Sequence, residues 1–318
     1  MRHPIDFMWN YAKSKILSLI HKDGFEKYCV KLNRYAGKDV LNLNDCHNKI
    51  AYAVDNSIPF CVARLGATEL YCASTFEFDL TSKQQNAMDQ MEKWSGFFPN
   101  EKAFGDEFFK YITESLENVD MLAFWALRFE EYFIKKYMNK EVDCTFLYNI
   151  EPWRNLENPW SKSLKGKKVL VIHPFEESIR YQYGKRDLLF PGTEVLPKFE
   201  LSTLKAVQTL AGTKDERFQT WFDALDWMYN QAMEKEFDVA IIGCGAYGLP
   251  LAARLKKAGK VAIHLGGATQ LLFGIKGKRW DTQPDKEYVR KLYNEHWVYP
   301  SVQEKPKNAN SVEGGCYW

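Results

Sequence analysis

Three short stretches of the chain combine residue types that can do chemistry together. Arg64-Leu-Gly66-Ala-Thr-Glu69 puts a guanidinium, a flexible glycine and a carboxylate within six residues. A guanidinium grips a diphosphate as a fork, and a carboxylate can bind a sugar hydroxyl, take its proton or hold a divalent ion. The plain alternative is an Arg64–Glu69 ion pair. His173 ends an apolar run and is followed by Pro174, Phe175, Glu176, Glu177, Ser178 and Arg180. It can meet a phosphate, act as a base where a neighbour tunes it, or serve as a satisfied structural residue. Tyr181 and Tyr183 would extend this stretch into an aromatic, basic wall. Gly243-Cys-Gly245-Ala-Tyr247-Gly248 has the G-x-G-x-x-G spacing, which allows a sharp turn and presents backbone N–H groups at a helix start to a pyrophosphate. The same glycines also suit a tight strand-to-helix crossing with no ligand. Further along, His264-Leu-Gly266-Gly267 closes another apolar run, and Lys276, Lys278 and Arg279 can meet one phosphate or form a solvated rim. Arg279 and Trp280 would close over such a site.

Each stretch needs an element to hold it, and hydrophobic patterning supplies candidates. Short apolar runs predict strands at 60–64, 145–148, 169–173, 239–242 and 261–264. Pro197 makes 194–199 an edge strand, since proline cannot donate to a central ladder. Helical spacing is read at 9–35, where Trp9, Ile16, Leu17, Ile20, Phe25 and Tyr28 recur, and again at 215–236 and 250–258. Residues 39–50 look polar and turn-rich. The region 81–137 reads as mostly helical, broken at Pro99 and Gly105, with an amphipathic part at 116–137. Strand, turn, helix and strand in succession form a βαβ unit. The expected fold is therefore α/β, a Rossmann-like, mostly parallel sheet with helices on both faces and an N-terminal helical portion. The expected divisions are a helical region at 1–50, a catalytic domain at 51–300 with a helical insertion at about 81–140, and a loose tail at 301–318.

Bulk properties narrow the function. The 318 residues are 46% hydrophobic, 26% charged and 15% aromatic, which suits a packed enzyme rather than a disordered chain. Lys and Arg number 43 against 41 Asp and Glu, so no strong field gathers a nucleic-acid backbone, and no nucleic-acid partner is expected. Seven cysteines (Cys29, Cys46, Cys61, Cys72, Cys144, Cys244 and Cys316) stand apart with no C-x-x-C pair, which argues for reduced thiols in a cytoplasmic setting. Neither a signal peptide nor a transmembrane segment is read, so membrane association would be peripheral, at the inner face or through a lipid-linked substrate. The serine-hydrolase elbow, the H-E-x-x-H pair and the P-loop pattern are all missing. A dinucleotide site would also want an acidic residue at the end of the strand after the glycine turn, where His264 stands, and no NAD is expected.

The three stretches, in this order, resemble the bacterial GT-D-type glycosyltransferases of surface-glycan and glycoprotein pathways. Val62-Ala-Arg64-Leu-Gly66-Ala-Thr-Glu69 is similar to that family's strand followed by R-F-G-D-G-E. Lys168-Val-Leu-Val-Ile-His173-Pro-Phe175, with Ser178 and Arg180, matches a strand and loop on the nucleotide side of the donor. Asp238 to Ala252, continuing through 260–267, corresponds to an L-G-P-T-A-like turn, a helix and a strand ending in a D-x-G-H-like run. The sequence departs from the family at Ala67, where the first aspartate of a metal-associated D-x-E would stand, and at His264 and Gly267, where the family has Asp and His. Glu69 keeps the glutamate.

The resemblance implies transfer of a sugar from a nucleoside diphosphate donor, taken as a UDP-sugar, to a hydroxyl of a surface-polysaccharide acceptor. Glu69, Arg64 and His173 are the catalytic candidates. Gly66, Phe175, Ser178, Arg180, Gly243, Gly245, Tyr247, Gly248, His264, Gly266 and Gly267 are the donor-binding candidates. Glu69 would be the ligand if Mn²⁺ or Mg²⁺ is used. A homo-oligomer is compatible with these features. A sugar-nucleotide or sugar-phosphate hydrolase or isomerase, and a non-enzymatic nucleotide-binding assembly module, are the alternative readings.

Overall fold

A computed structural model describes residues 2–20, 33–306, 308 and 315–318. Helix α1 (Pro4–Ile20) leads to a hairpin of β1 (Arg34–Tyr35) and β2 (Lys38–Leu41). Ala36 and Gly37 both take positive φ between these strands, the geometry of a two-residue hairpin turn. The helical expectation at Phe25 and Tyr28 lies outside the described residues. Helix α2 (Leu43–Asp55) follows at once, capped by the Asn42 side chain, which accepts from the Asp45 N–H at 3.0 Å. Residues 1–50 are thus not helical throughout, and the stretch 39–50 contains a strand and most of a helix instead of turns. The error has a simple source, since Asn42 and Asp45 read as turn formers but act here as a cap.

The frame is one nine-stranded sheet in the order β1-β2-β5-β4-β3-β9-β8-β6-β7. Its members are β3 (Phe60–Ala63), β4 (Met121–Phe124), β5 (Asp143–Phe146), β6 (Lys168–His173), β7 (Glu200–Lys205), β8 (Val239–Ile242) and β9 (Val261–His264). All pairings are parallel except that of β1 with β2. Strands β4, β8 and β9 are buried along their whole length and apolar apart from His264 at the end of β9, as suits strands covered on both faces.

On one face lie α3 (Ala67–Glu77), α4 (Thr81–Ser95), α5 (Gly105–Leu116), α6 (Glu130–Tyr137), α8 (Trp221–Met233) and α9 (Gly248–Lys257), sharing a core with Phe97, Phe108 and Trp221. On the other lie α2, α7 (Glu176–Tyr183) and residues 269–297, around Trp153, Trp160 and Phe273. This is the expected α/β sheet with helices on both faces.

Four local expectations need correction. The mostly helical insertion expected at about 81–140 contains β4, a central strand, within its amphipathic part at 116–137. Met121-Leu-Ala-Phe124 is apolar on both faces, so alternation could not separate it from a buried helix. Asp120 then pins β4 beside β3, accepting from the Cys61 N–H at 2.8 Å and pairing with Lys256 at 3.0 Å. The edge strand is 200–205 rather than 194–199, because Pro197 sits before the ladder begins. The strand expected at 145–148 runs Asp143–Phe146 instead. Finally, α8 starts at Trp221 because Thr220 and Asp223 form a reciprocal capping box.

Candidate active site

The chain leaves β3 and β8 toward one face, and β6 and β9 toward the other. These four strands are neighbours in the sheet, so their carboxyl ends open a crevice at a switch point, the usual ligand position in such folds. A cleft of about 210 Å³ lies there. Residues 64–69 after β3, His173–Phe175 after β6, 243–247 after β8, and His264, Gly266 and Gly267 after β9 all line it.

Arg64 follows the last residue of β3, and its guanidinium stands 5.1 Å from the centroid of the Trp125 ring. The Trp125 indole is itself fixed by donating to Leu65 O at 2.8 Å. Burial, above all, lowers the Arg64 pKa, with Tyr317 and Glu69 acting in the opposite direction and Arg279 adding to the lowering. Glu69 lies in the first turn of α3, where the helix dipole favours a carboxylate. Among the described residues no hydrogen bond or ion pair engages the Arg64 guanidinium or the Glu69 carboxylate. The alternative of an internal Arg64–Glu69 pair is therefore not what the fold adopts. Glu69 reaches back over Gly66, where any Cβ would collide with its carboxylate.

The two histidines are buried and neutral. His173 Nδ1 accepts the Phe175 N–H at 3.0 Å, and burial lowers its pKa to about 3. His264 falls to about 3 through burial and, second, the positive charge of Arg64. Neither is poised to exchange a proton near neutral pH. The glycine turn explains part of this burial. A Cβ on Gly243 would lie 2.7 Å from both the His173 ring and Thr269 Oγ1, and one on Gly248 would strike the His264 ring. These two glycines let the imidazoles pack, whereas Gly245 faces the cleft with a positive φ of 60°. Tyr247 stacks on Trp221, with ring centroids 4.8 Å apart, and lines the same wall.

Ser178, Arg180 and Gly248 do not reach the cleft lining. Ser178 Oγ donates to the Glu304 carboxylate and accepts the Ser301 N–H at 3.0 Å. Arg180 donates to Thr203 Oγ1 at 2.7 Å and to Glu176 at 2.8 Å. Tyr183 packs flat on Phe199 and Tyr181 is exposed, so the anticipated aromatic wall is built elsewhere. Trp94, Trp125, Tyr317 and Trp318 supply it. Of the basic trio, Arg279 alone lines the cleft, while Trp280 is buried behind Tyr317 at 6.1 Å between centroids. The loose-tail expectation does not describe residues 315–318: Cys316 is buried, and the Trp318 ring meets Phe175 edge-on at 5.9 Å. Sequence reasoning also missed Gln270, Gln208 and Thr209, which line the cleft with no local motif to mark them.

Magnesium and manganese take oxygen ligands, commonly carboxylates completed by phosphates and waters. Among the described residues Glu69 is the one carboxylate lining the cleft, which it shares with the guanidinium groups of Arg64 and Arg279. No group of three or more His, Cys, Asp or Glu side chains among the described residues is placed to hold a metal ion. Glu69, joined by phosphate oxygens of a bound donor and by waters, is the ligand set this cleft could offer such an ion.

The sequence matches no protein-family model and no curated protein. Among solved structures, one described as the highly conserved domain of unknown function 1792, with a distinct glycosyltransferase fold, is similar over 85% of this chain and 93% of that chain. The identity is 12% and the TM-score 0.43, a distant likeness that carries no weight for activity. No helix among the described residues is long and apolar enough to cross a membrane.

Proposed function

We propose that the chain is a glycosyltransferase that moves a sugar from a nucleoside diphosphate donor, a UDP-sugar in the simplest case, to a hydroxyl of a surface-polysaccharide acceptor. The observation that carries this reading is the pair of uncommitted opposite charges, Arg64 and Glu69, on one turn of an aromatic-walled cleft. Half-buried charges that lack a hydrogen-bond or ion-pair partner are costly unless a ligand completes them.

In the proposed reaction the bond between the anomeric carbon and the diphosphate oxygen breaks, and its electron pair leaves with the diphosphate. A bond forms from the acceptor oxygen to the anomeric carbon, and the acceptor proton passes to the Glu69 carboxylate. Arg64 offsets charge on the departing diphosphate, which is the larger electrostatic demand. The tryptophans at 94, 125 and 318 offer faces for the base and sugar. His173 and His264, being neutral, shape the floor and exchange no proton. A lipid-linked acceptor would bring the protein to the inner face of a membrane.

The test is calorimetric titration with UDP, GDP, TDP, CMP and NAD, followed by turnover of the matching sugar conjugates with and without a glycan acceptor. One nucleoside diphosphate should bind, and product should require acceptor. Glu69→Gln should lower kcat by about 10²- to 10⁴-fold while leaving donor affinity within a few-fold. Full donor consumption by water alone would favour the hydrolase, and preference for NAD would end the transferase reading.

A further inference from the structure

We propose that the half of the cleft bounded by Trp94 and Gln208 is a pyranose subsite, and that it holds the terminal sugar ring of the acceptor, stacked on the Trp94 indole. The inference rests on reading the cleft as that of a sugar-nucleotide transferase.

The cleft is divided by charge. Among the described residues its charged lining side chains are Arg64, Glu69 and Arg279. Arg64 and Glu69 belong to the turn after β3, with Arg64 against Gly266 and Glu69 over Gly66, while Arg279 is tied to residues 316 and 317. The opposite wall is neutral. It is made by Trp94 and Ser95 from the last turn of α4, by Gln208 and Thr209 from the loop after β7, and by Gly245 from the turn after β8. In the sheet β8 lies two strands from β3, about 10 Å at the usual spacing.

This wall is fixed through its backbone and open at its side chains. Helix α4 ends at Gly96, whose φ of 72° turns the chain out of the helix. Thr209 Oγ1 donates to Gly96 O at 2.5 Å and so ties the loop after β7 to the helix end. Ser95 O faces the glycine turn, since a Cβ on Gly245 would lie 3.6 Å from it. Among the described residues, by contrast, no hydrogen bond engages the Trp94 indole N–H or the Gln208 amide. Trp94 is 41% exposed, and no other large apolar side chain described in the lining is as open to solvent. Lys93, exposed and outside the lining, brings Nζ to 5.6 Å from the Trp94 ring centroid, a solvent-screened contact that a stacked ring can displace.

An indole face beside a neutral amide suits a pyranose, which has C–H groups on a ring face and hydroxyls at its edge. The ring face buries on the indole, and the hydroxyls exchange hydrogen bonds with an amide that both donates and accepts. The carbonyl end of a helix carries partial negative charge, which favours hydroxyl donors and disfavours phosphate. The diphosphate is drawn instead to Arg64. Position selects the acceptor over the base of the donor. A glycan acceptor has to run out of the cleft into solvent, and Trp94 is on the open side, whereas Trp125 and Trp318 are half-buried against Arg64 and Phe175. Helices α3 and α4 pack together on one face of the sheet, so Glu69 and Trp94 are presented to the same ligand.

The experiment is ligand-observed saturation-transfer NMR of the full chain with methyl β-D-galactopyranoside, methyl α-D-glucopyranoside and methyl α-D-mannopyranoside, each with and without UDP, beside calorimetric titration with UDP. At least one glycoside should receive saturation, concentrated on the C–H groups of one ring face. Trp94→Ala should weaken its binding about 10-fold or more, Trp94→Phe should recover part of the loss, and Gln208→Ala should weaken it about three- to tenfold. UDP affinity should stay within about twofold in all three variants. If Trp94→Ala lowers the ligand-free thermal midpoint, Gln208→Ala decides. No saturation of any glycoside by the parent, or equal saturation in the variants, would overturn the subsite while leaving a transferase possible. Loss of UDP affinity in Trp94→Ala with glycoside binding intact would make the indole a platform for the donor's base, and would overturn it too. Glycoside binding that depends on Trp94 and Gln208, with no turnover of any nucleotide sugar, would support the subsite and sink the transferase.

Discussion

The turns after β3 and β6 leave the same edge of one sheet and carry similar residue types, yet they treat their polar groups in opposite ways. After β3, Arg64 and Glu69 face the cleft with no hydrogen-bond or ion-pair partner among the described residues. After β6, His173 accepts a backbone N–H, Ser178 is bound to Glu304, and Arg180 is shared between Thr203 and Glu176. Glu304 also accepts the N–H groups of Glu177 at 2.8 Å and Ser178 at 3.3 Å, and so caps α7 from far along the chain. Polar groups that the protein has already satisfied are architecture. Those it leaves open beside a cleft are where a ligand can gain binding energy.

Substitution at matched positions can break this contrast. Arg64→Ala should weaken binding of the preferred nucleoside diphosphate by about 10- to 100-fold, whereas Arg180→Ala should change it less than about twofold. Equal losses in calorimetry would show that α7 takes part in binding after all. Glu304→Ala should leave nucleotide affinity alone but cost about 1–2 kcal/mol of stability in denaturant unfolding, through lost capping of α7. An unchanged midpoint would mean that Glu304 contributes no net stability.

The smallest effect concerns pH. His173 has a folded-state pKa of about 3 against an ordinary 6.5, so the unfolded chain takes up its proton first on acidification. Its contribution to stability is therefore complete above about pH 6.5 and declines as pH falls toward 3. Glu130 and Glu151, raised by burial to about 7, act with the opposite sign, losing their contribution as pH rises through 7. Comparing His173→Gln with the parent isolates the histidine: their stability difference should shrink below pH 6.5. A constant difference would mean that His173 is not held neutral by the fold.

Much of the frame was legible because it is local. Runs such as Val169-Leu-Val-Ile172 and Val239-Ala-Ile-Ile242 are too apolar and β-branched to be anything but buried strands, and the G-x-G-x-x-G spacing marks a strand-to-helix turn wherever it falls. Arg64, Glu69, His173 and His264 could be singled out because each lies at or just past the end of such a strand. Trp125 has the same relation to β4 and went unrecognised only because β4 did. The misreading of Ser178 and Arg180 is different in kind. Their partners Glu304 and Thr203 are distant in sequence, and no pattern near residue 178 announces them.

Sequence alone thus determined the apolar strands, the glycine turn and the residues standing at strand ends, since backbone period and steric freedom act over a few residues. Tertiary structure decided which of those side chains remain open to a ligand and which are consumed. It also brought Arg279, Gln270 and Tyr317 to the turn after β3. That convergence depends on the order in which parallel strands pair and on a C-terminal segment packing against the 266–267 turn. Both are set by contacts between residues far apart in the chain, which local periodicity does not encode.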